Sequence, residues 1–186
     1  ALRFGLAQPP ALAHRLDHDT SGCLILGRSS RALGRLGRLF EARKIDKIYW
    51  AIVEGTPPEP AGRIELALRK ETRTAGWRMT VDPKGLAAVT DYRQLANARG
   101  RSLLELNPRT GRTHQVRVHC AALGFPIVGD ATYGAGRAGE PMQLHARAVT
   151  IPLYADKPPL TATAPPPPHM AILLREMGFD AVAESA

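Results

Sequence analysis

Five short segments with strand character follow one another in the middle of the chain, and turns rich in Gly, Pro or Asp separate them. In the first segment Tyr49 and Trp50 begin two alternating apolar sets, the period-two pattern of a strand with two different faces. Short strands joined by tight turns pair antiparallel. The pattern predicts an antiparallel sheet and disfavours the regular strand and helix alternation of a doubly wound fold. The five segments are residues 47–54, 63–69, 77–81, 88–95 and 101–106.

Helices are predicted before and after these strands along the chain. Ser29 or Ser30 can cap a helix from Arg31 to about Arg43, because Leu33, Leu36 and Phe40 repeat at spacings of three and four. The opposite face of this helix carries the cations Arg31, Arg35 and Arg38.

The segment 109–124 is ambiguous, because Gln-Val-Arg-Val-His also alternates as a strand would. We favour a helix there, since Val116, Cys120 and Leu123 fall on one face. Gly124 and Pro126 then end it. On such a helix His114 and Arg117 share a face. Further strands are expected at 24–27 and 143–151, followed by an extended segment at 156–168 and a short terminal helix.

The charge of the chain points to a polyanionic partner. Lys and Arg number 25 against 17 acids, a net charge of +8, and 44% of the residues are hydrophobic. Such a composition belongs to a folded domain and not to a disordered basic tail. Because arginine binds phosphates bidentately, nucleic acid is the expected partner. The aromatic content of 5% argues against a single-strand binder with many stacking side chains.

Cysteine content and hydropathy indicate the compartment. Cys23 and Cys120 lie in apolar surroundings and are too few for a disulfide framework, so reduced cysteines in a cytoplasmic protein are expected. No apolar run reaches the length of a membrane span, and the N-terminus lacks a secretory apolar region. We therefore expect a cytoplasmic monomer with no membrane and no obligate protein partner.

Two segments carry residues suited to chemistry. Asp17 stands in His-Arg-Leu-Asp-His-Asp-Thr-Ser-Gly, on a turn beside Arg15. An adjacent cation favours the ionised form of a carboxylate inside a cleft; the alternative is that Asp17 only caps the turn. The second segment has no acid between Glu105 and Asp130. Its cations and imidazoles are Arg109, Arg112, His114, Arg117 and His119.

These motifs occur together with others in a fixed order. The first motif is followed by Lys-Ile-Tyr-Trp-Ala-Ile-Val-Glu-Gly around Tyr49 and by Thr-Gly-Arg-Thr-His-Gln-Val-Arg-Val-His around Arg117. Gly-Asp-Ala-Thr-Tyr-Gly at 129–134 and Leu-His-Ala at 144–146 come next. In this combination the chain closely resembles RluA-type pseudouridine synthases over about residues 11–169.

The resemblance implies a fold and a set of roles. The fold class is α+β, the pseudouridine synthase fold, with a mixed and largely antiparallel sheet, flanking helices and a central RNA-binding cleft. Asp17 matches the catalytic aspartate, and Arg15 the arginine that enters the RNA stack in place of the extruded uridine. Tyr49 matches the tyrosine that stacks on the target base and can handle the C5 proton, and Arg117 the arginine that pairs with the aspartate. His14, Thr20, Ser21 and Gly22 match motif positions best explained as turn and packing residues. Further RNA contacts are assigned to Arg31, Arg35, Arg38, Arg109 and Arg112.

The implied reaction needs few groups. Uridine becomes pseudouridine when the bond from N1 to C1′ breaks, the base rotates and C5 joins C1′. There is no redox change and no transferred group, so neither cofactor nor metal is expected. One ionised aspartate can attack the sugar or the base, or start an elimination at the ribose. The target atoms are unreachable inside a duplex, so the base must be extruded.

Two other classes of function stay open. A metal-dependent RNA hydrolase would use His14, Asp17, His18 and Asp19 with His114 and His119, because imidazoles and carboxylates bind divalent metals. Ligands within a few consecutive residues rarely converge on one ion, and Arg15 opposes a cation. A non-catalytic RNA-binding module would use the basic face of the first helix.

The resemblance also suggests domain limits. We assign 1–169 to a catalytic domain and 170–186 to a C-terminal helical tail. Family members carry a strand and a Lys-Pro-x-Gly motif upstream of the first motif, so the N-terminal part of the domain is expected to be missing here. Ribosomal and transfer RNA are both possible substrates, since cations that contact phosphates carry no sequence information.

Overall fold

The computed structural model describes residues 5, 9–74, 76–136 and 139–180. In this part of the chain, three helices are found: α1 (Ser30–Glu41), α2 (Gln115–Ala122) and α3 (Pro168–Glu176). The strands are β1 (Ala11–Leu12), β2 (Ser21–Gly22), β3 (Leu26–Gly27), β4 (Asp46–Glu54), β5 (Ala61–Glu65), β6 (Leu68–Arg73), β7 (Gly76–Val81), β8 (Val89–Ala98), β9 (Arg101–Pro108), β10 (Leu144–Ile151) and β11 (Leu160–Thr163). None of the described helices is long and apolar enough to cross a membrane.

The main sheet has the strand order β11-β10-β4-β9-β8-β5, and all neighbours along it are antiparallel. The short strand β2 joins β10 in parallel. Two further pairs stand apart from this sheet, β1 with β3 and β6 with β7, both antiparallel. The predicted fold class, α+β with a mixed and largely antiparallel sheet and flanking helices, is confirmed.

Strand β4 divides the core as its alternation predicts. Ala51 and Val53 pack with Val116 and Cys120 of α2 on one side of the sheet. On the other side Trp50 packs in a separate cluster with residues of α3. Tyr49 packs against the first cluster, so it lies on the α2 side. Both clusters bury large apolar side chains, the main stabilising contribution to such a fold.

Both predicted helices are confirmed, but the second is limited to α2, and Leu123, which was placed on its apolar face, is its exposed C-cap. The Ser29 side chain accepts a hydrogen bond from the Ala32 N–H and caps α1, whose Leu36 packs with Ile45 and Val149. Helix α2 ends before Gly124, which adopts a φ of 85°. A positive φ is cheap only for glycine, which explains why the helix stops there.

One predicted strand is wrong. Residues 63–69 do not form a continuous strand but divide into β5, which belongs to the main sheet, and β6, which pairs with β7. Between them the Leu66 carbonyl accepts a hydrogen bond from the buried His119 imidazole at 3.1 Å instead of from a neighbouring strand. The predicted strand at 24–27 is also shorter, because only Leu26 and Gly27 pair with β1.

The end of the chain closes over one face of the sheet. The extended segment contributes β11, which pairs with β10. Helix α3 begins at Pro168, and its Met170 and Leu174 are fully buried against Trp50, Ile52 and Leu103. This helix is therefore part of the core. Residues 181–186 of the predicted tail lie outside the described residues.

Candidate active site

A cavity of about 350 Å³ lies where the turn before β2, the start of β4 and the loop before α2 meet. This volume is at the lower end of the range for small-ligand sites. The predicted residues Arg15, Asp17, Tyr49 and Arg112 all line it, together with Lys47 and His114. The fold thus brings the three sequence motifs around one cavity.

Asp17 is the acid of the first motif that faces this cavity. The turn that carries it is closed by a hydrogen bond from the Thr20 N–H to the Asp17 carbonyl, at 3.0 Å. His18 and Asp19 point to solvent, where their side chains pair with each other at 2.8 Å. The Asp17 side chain is only 19% exposed.

Each carboxylate oxygen of Asp17 has its own basic neighbour. Arg117 Nη1 lies 3.6 Å from Oδ2, and His114 Nε2 lies 3.9 Å from Oδ1. Arg117 lies on α2, whereas His114 precedes the helix in a left-handed conformation, so the two do not share a helix face as predicted, although both side chains approach Asp17. The arrangement places one cation, Arg117, and one imidazole, His114, beside the carboxylate and leaves it open to the cavity.

Arg117 is held by a second acid, which the sequence interpretation missed. Its Nε and Nη2 donate to the two oxygens of Asp130 at 2.7 and 2.8 Å. Burial alone would raise the pKa of Asp130, but the hydrogen bonds and charge of Arg117 and two backbone N–H donors hold it below the usual value. Burial alone would lower the pKa of Arg117, but Asp130 and then Asp17 raise it. The Gly-Asp-Ala-Thr-Tyr-Gly motif was the available signal for this pair.

Tyr133, from the same motif, organises both neighbours of Asp17. Its hydroxyl is hydrogen-bonded to His114 Nδ1 at 2.8 Å and accepts the Met79 N–H at 3.0 Å. Its ring lies under the Arg117 guanidinium, 5.1 Å from the ring centroid. Sequence reasoning had assigned no role to Tyr133.

His114 adopts a backbone conformation that is unusual for a residue with a side chain. It precedes α2 with a φ of 53°, in the left-handed region that non-glycine residues rarely occupy. Its ring stacks on Trp77 with centroids 5.2 Å apart. Burial lowers the pKa of His114, opposed by the charge of Asp17, so the neutral imidazole is favoured. Strain of this kind persists only where surrounding contacts hold it, and it clusters at functional sites.

The loop before α2 is fixed by Gln115, which is buried. Its side-chain oxygen accepts from the Thr110 hydroxyl at 2.7 Å and from the Arg112 N–H at 3.0 Å. Its amide donates to the Val89 carbonyl at 2.9 Å. These bonds attach the loop to β8 and set the position of Arg112 at the cavity.

Tyr49 reaches the cavity from β4. Burial, followed by the negative charge of Asp17, raises the pKa of Tyr49 to about 12. Its phenol therefore stays protonated at neutral pH. An uncharged aromatic ring on the wall of the cavity is suited to stacking against a flat ligand.

The other predicted RNA-binding arginines occupy different places. Arg15 is exposed at the rim of the cavity, and Arg109 pairs with Asp91 at 2.7 Å. Arg31, Arg35 and Arg38 lie on α1 and do not line the cavity. Arg35 instead lies over the ring of Tyr154, 4.9 Å from its centroid.

The remaining residues of the first motif shape the turn. His14 Nε2 accepts the Ile25 N–H at 3.0 Å, and the Ser21 hydroxyl bonds His145 Nδ1 at 2.8 Å. Gly22 has a φ of 111°, and a Cβ there would collide with the Ala146 backbone across the β2 and β10 pair. Thr20 lines the cavity, and its buried hydroxyl lacks a hydrogen-bond partner among the described residues.

The histidines and acids named for a metal site do not converge. His119 is buried, with both ring nitrogens bonded to Thr90 and Leu66. His18 is exposed. Across the residues that the structure covers, no group of three or more His, Cys, Asp or Glu side chains could hold a metal ion.

Comparison with known proteins agrees with the fold and with the predicted family. A family model described as RNA pseudouridylate synthase matches residues 2–122. An uncharacterized RNA pseudouridine synthase of Zymomonas mobilis is 46% identical over 171 residues, 90% of this chain and 78% of that protein. A ribosomal large subunit pseudouridine synthase D of Borreliella burgdorferi is 42% identical over 125 residues, 67% of this chain and 38% of that protein.

Among solved structures, human RNA pseudouridylate synthase domain containing 1 superposes with a TM-score of 0.75 at 35% identity. The match covers 85% of this chain and 69% of that one. The chain belongs to the RNA pseudouridylate synthase family, a family of isomerases. The predicted family and enzyme class are thereby confirmed.

Proposed function

We propose that this chain isomerises uridine to pseudouridine in structured RNA, with Asp17 as the catalytic group. The observation that carries the proposal is the Asp17 carboxylate, which faces a cavity and has Arg117 and His114 on its two oxygens. An acid placed in this way stays available as a nucleophile or a base, and fixed positive charge can stabilise the charge that develops beside it.

The proposed roles are those that the resemblance implies, and the geometry supports them. The extruded uridine enters the cavity and stacks on the ring of the uncharged Tyr49 side chain, while Asp17 reacts at the sugar or the base. Arg15, at the rim, is suited to fill the space that the uridine leaves in the RNA stack, which offsets part of the unstacking cost of a few kcal/mol. Tyr49 remains the candidate group for handling the C5 proton, but because its pKa is raised to about 12, its phenol must give up its own proton before it can accept that one.

The RNA class and the compartment are further proposals. The name of the Borreliella relative refers to the large ribosomal subunit, which supports ribosomal RNA as the first substrate to test. Transfer RNA is the alternative. A cytoplasmic location, a monomeric state and RNA as the sole macromolecular partner stay predictions. Both cysteines are free, which is consistent with the predicted reduced state.

The first test is Asp17→Asn, which removes the charge and keeps the shape. We expect the release of tritium from C5-labelled uridine in transcribed RNA to fall at least 1,000-fold (about 4 kcal/mol of barrier), with RNA binding retained. Asp19→Asn is the matched control, because Asp19 is the exposed acid of the same motif, and it should keep full activity. Full turnover by Asp17→Asn would contradict the assignment.

The same assay separates the other two classes. A metal-dependent hydrolase would lose activity with EDTA and regain it with one divalent ion, and it would shorten the RNA. A binding module would bind RNA and release no tritium.

Arg117→Ala should reduce kcat more than Arg31→Ala does, since only Arg117 contacts Asp17; equal losses would make Arg117 a phosphate contact only.

A further inference from the structure

A second concavity of about 590 Å³ opens beside the active-site cavity. Arg15, Gly111, Arg112 and Thr113 line both, so the two lie side by side. The far wall of the second concavity is the hairpin of β6 and β7 with the loop that follows it. None of the predicted RNA-binding residues lies on this hairpin.

The hairpin presents an aromatic ring among cations. Trp77 is 43% exposed and Leu86 is 62% exposed, both facing the second concavity. The Lys70 ammonium lies over the indole, 4.6 Å from the ring centroid, and Lys84 lies in the same wall. The adjacent acid, Asp82, is paired with Arg69 at 2.7 Å. An exposed ring surrounded by positive charge is the combination that binds unpaired nucleotides.

The ring is held firmly next to the active site. Leu68 and Met79 anchor the hairpin in the core, and the Met79 N–H donates to the Tyr133 hydroxyl. Trp77 itself stacks on His114, the residue beside Asp17. The platform and the catalytic carboxylate are therefore connected through His114 and Tyr133.

We propose that Trp77 is a stacking platform for the base of a nucleotide that flanks the target uridine. Lys70 and Lys84 contact the phosphates of this nucleotide. Lys70 is exposed, so its ammonium can leave the indole when a base takes its place. This inference rests on the proposed function, since the neighbouring cavity holds the target uridine itself.

The chain offers a matched control for the exposed ring. Tyr154 is 42% exposed and also has cations over its ring, Arg35 at 4.9 Å and Lys157 at 5.4 Å. Tyr154 lines neither the active-site cavity nor the second concavity. A general preference of RNA for exposed aromatic and cationic pairs would act on both sites, whereas a flanking-base platform acts only at Trp77.

Tryptophan fluorescence gives a direct measure of stacking. The chain has two tryptophans, and Trp50 is buried in the core, so RNA can reach only Trp77. We titrate the Asp17→Asn protein with a stem-loop RNA whose loop consists of uridines. Stacking predicts that the emission is quenched on binding, and that the added substitution Trp77→Phe abolishes most of the quenching.

Affinity for the same RNA provides the second measure. Trp77→Ala should weaken binding about 5- to 100-fold, the equivalent of one stacked base, and Trp77→Phe should restore much of it. Tyr154→Ala should leave the affinity within about twofold. Replacing one loop nucleotide next to the target by an abasic residue should remove the effect of Trp77→Ala, because no base is left to stack. Thermal unfolding of each variant checks the fold.

The outcomes separate the two proposals. Unquenched emission on binding, or equal losses for Trp77→Ala and Tyr154→Ala, would overturn the platform. If quenching occurs as expected while the wild-type protein releases no tritium from C5-labelled uridine, the proposed isomerase function fails and the platform stands.

Discussion

At the residue scale, the proposed site depends on two side chains that do not line the cavity beside Asp17. Asp130 holds Arg117 with two short hydrogen bonds, and Tyr133 is bonded to His114. Arg117 and His114 are the groups beside the two oxygens of Asp17. The motif Gly-Asp-Ala-Thr-Tyr-Gly therefore acts by positioning, and its effect on chemistry passes through α2.

The Asp130 carboxylate offers a test of this positioning. Asp130→Asn removes the carboxylate that is hydrogen-bonded to the buried Arg117 and leaves only the more distant Asp17 as its counter-charge, so we expect the free energy of unfolding at pH 7 to fall by about 3 kcal/mol. Activity should fall as well. Glu105→Gln, which breaks the exposed pair with Arg93, should cost less than about 1 kcal/mol.

The pH dependence of that loss has a definite sign. The pKa of Asp130 is lowered in the fold, so its contribution to stability is present above the unfolded pKa of about 4 and disappears as the pH falls through the folded value. The stability difference between wild type and Asp130→Asn, measured by urea unfolding, should therefore shrink below about pH 4. A difference that stays constant from neutral to strongly acid pH would contradict the ion-pair explanation.

At the element scale, α3 covers the face of the sheet opposite α2. It has no contact with the active-site cavity, but its Met170 and Leu174 complete the cluster around Trp50. The strand β4 passes between the two clusters and carries Tyr49 at its cavity end. Helix α3 thus supports, from the opposite face of the sheet, the strand that carries Tyr49.

We expect Met170→Ala to lower the free energy of unfolding by roughly 2–5 kcal/mol, because it leaves a cavity against the sheet. Ile172→Ala, on the exposed side of the same helix, should change it by no more than about 0.5 kcal/mol. Denaturant unfolding measures both. Equal effects of the two substitutions would show that α3 does not pack on the sheet in solution.

At the scale of the whole molecule, buried histidines make the fold sensitive to mild acid. Burial lowers the pKa of His14, His114, His119 and His145 in each case. In the unfolded chain these groups take up protons below about pH 6.5. Stability therefore declines as the pH falls from about 7 to 5, because the unfolded state binds more protons there.

Urea unfolding at a series of pH values measures this decline. His145→Asn, which keeps a polar group between Ser21 and Ala164, should reduce the slope between about pH 7 and 5. An unchanged slope in His145→Asn would contradict a contribution of His145 to the loss of stability in mild acid.

Local pattern alone was sufficient for several elements and for the family. The alternation around Trp50 and the serine cap of α1 specify a strand and a helix through neighbouring residues, and both are confirmed. The motifs around Asp17, Tyr49 and Arg117 were enough to identify the family. Contacts between distant residues were not readable in this way. His119 interrupts the predicted strand at 63–69 by binding Leu66, more than fifty positions away in sequence.

The sequence by itself thus determined the class of fold, the family and several of the residues that line the cavity, among them Arg15, Asp17 and Tyr49. Only the tertiary structure decided which acid holds Arg117, which ring holds His114, and where Trp77 lies. Secondary structure depends on periodicity and capping within a few residues. A bidentate ion pair, a stacked ring or a groove depends on distances between separate elements, and those exist only once the sheet and helices have packed.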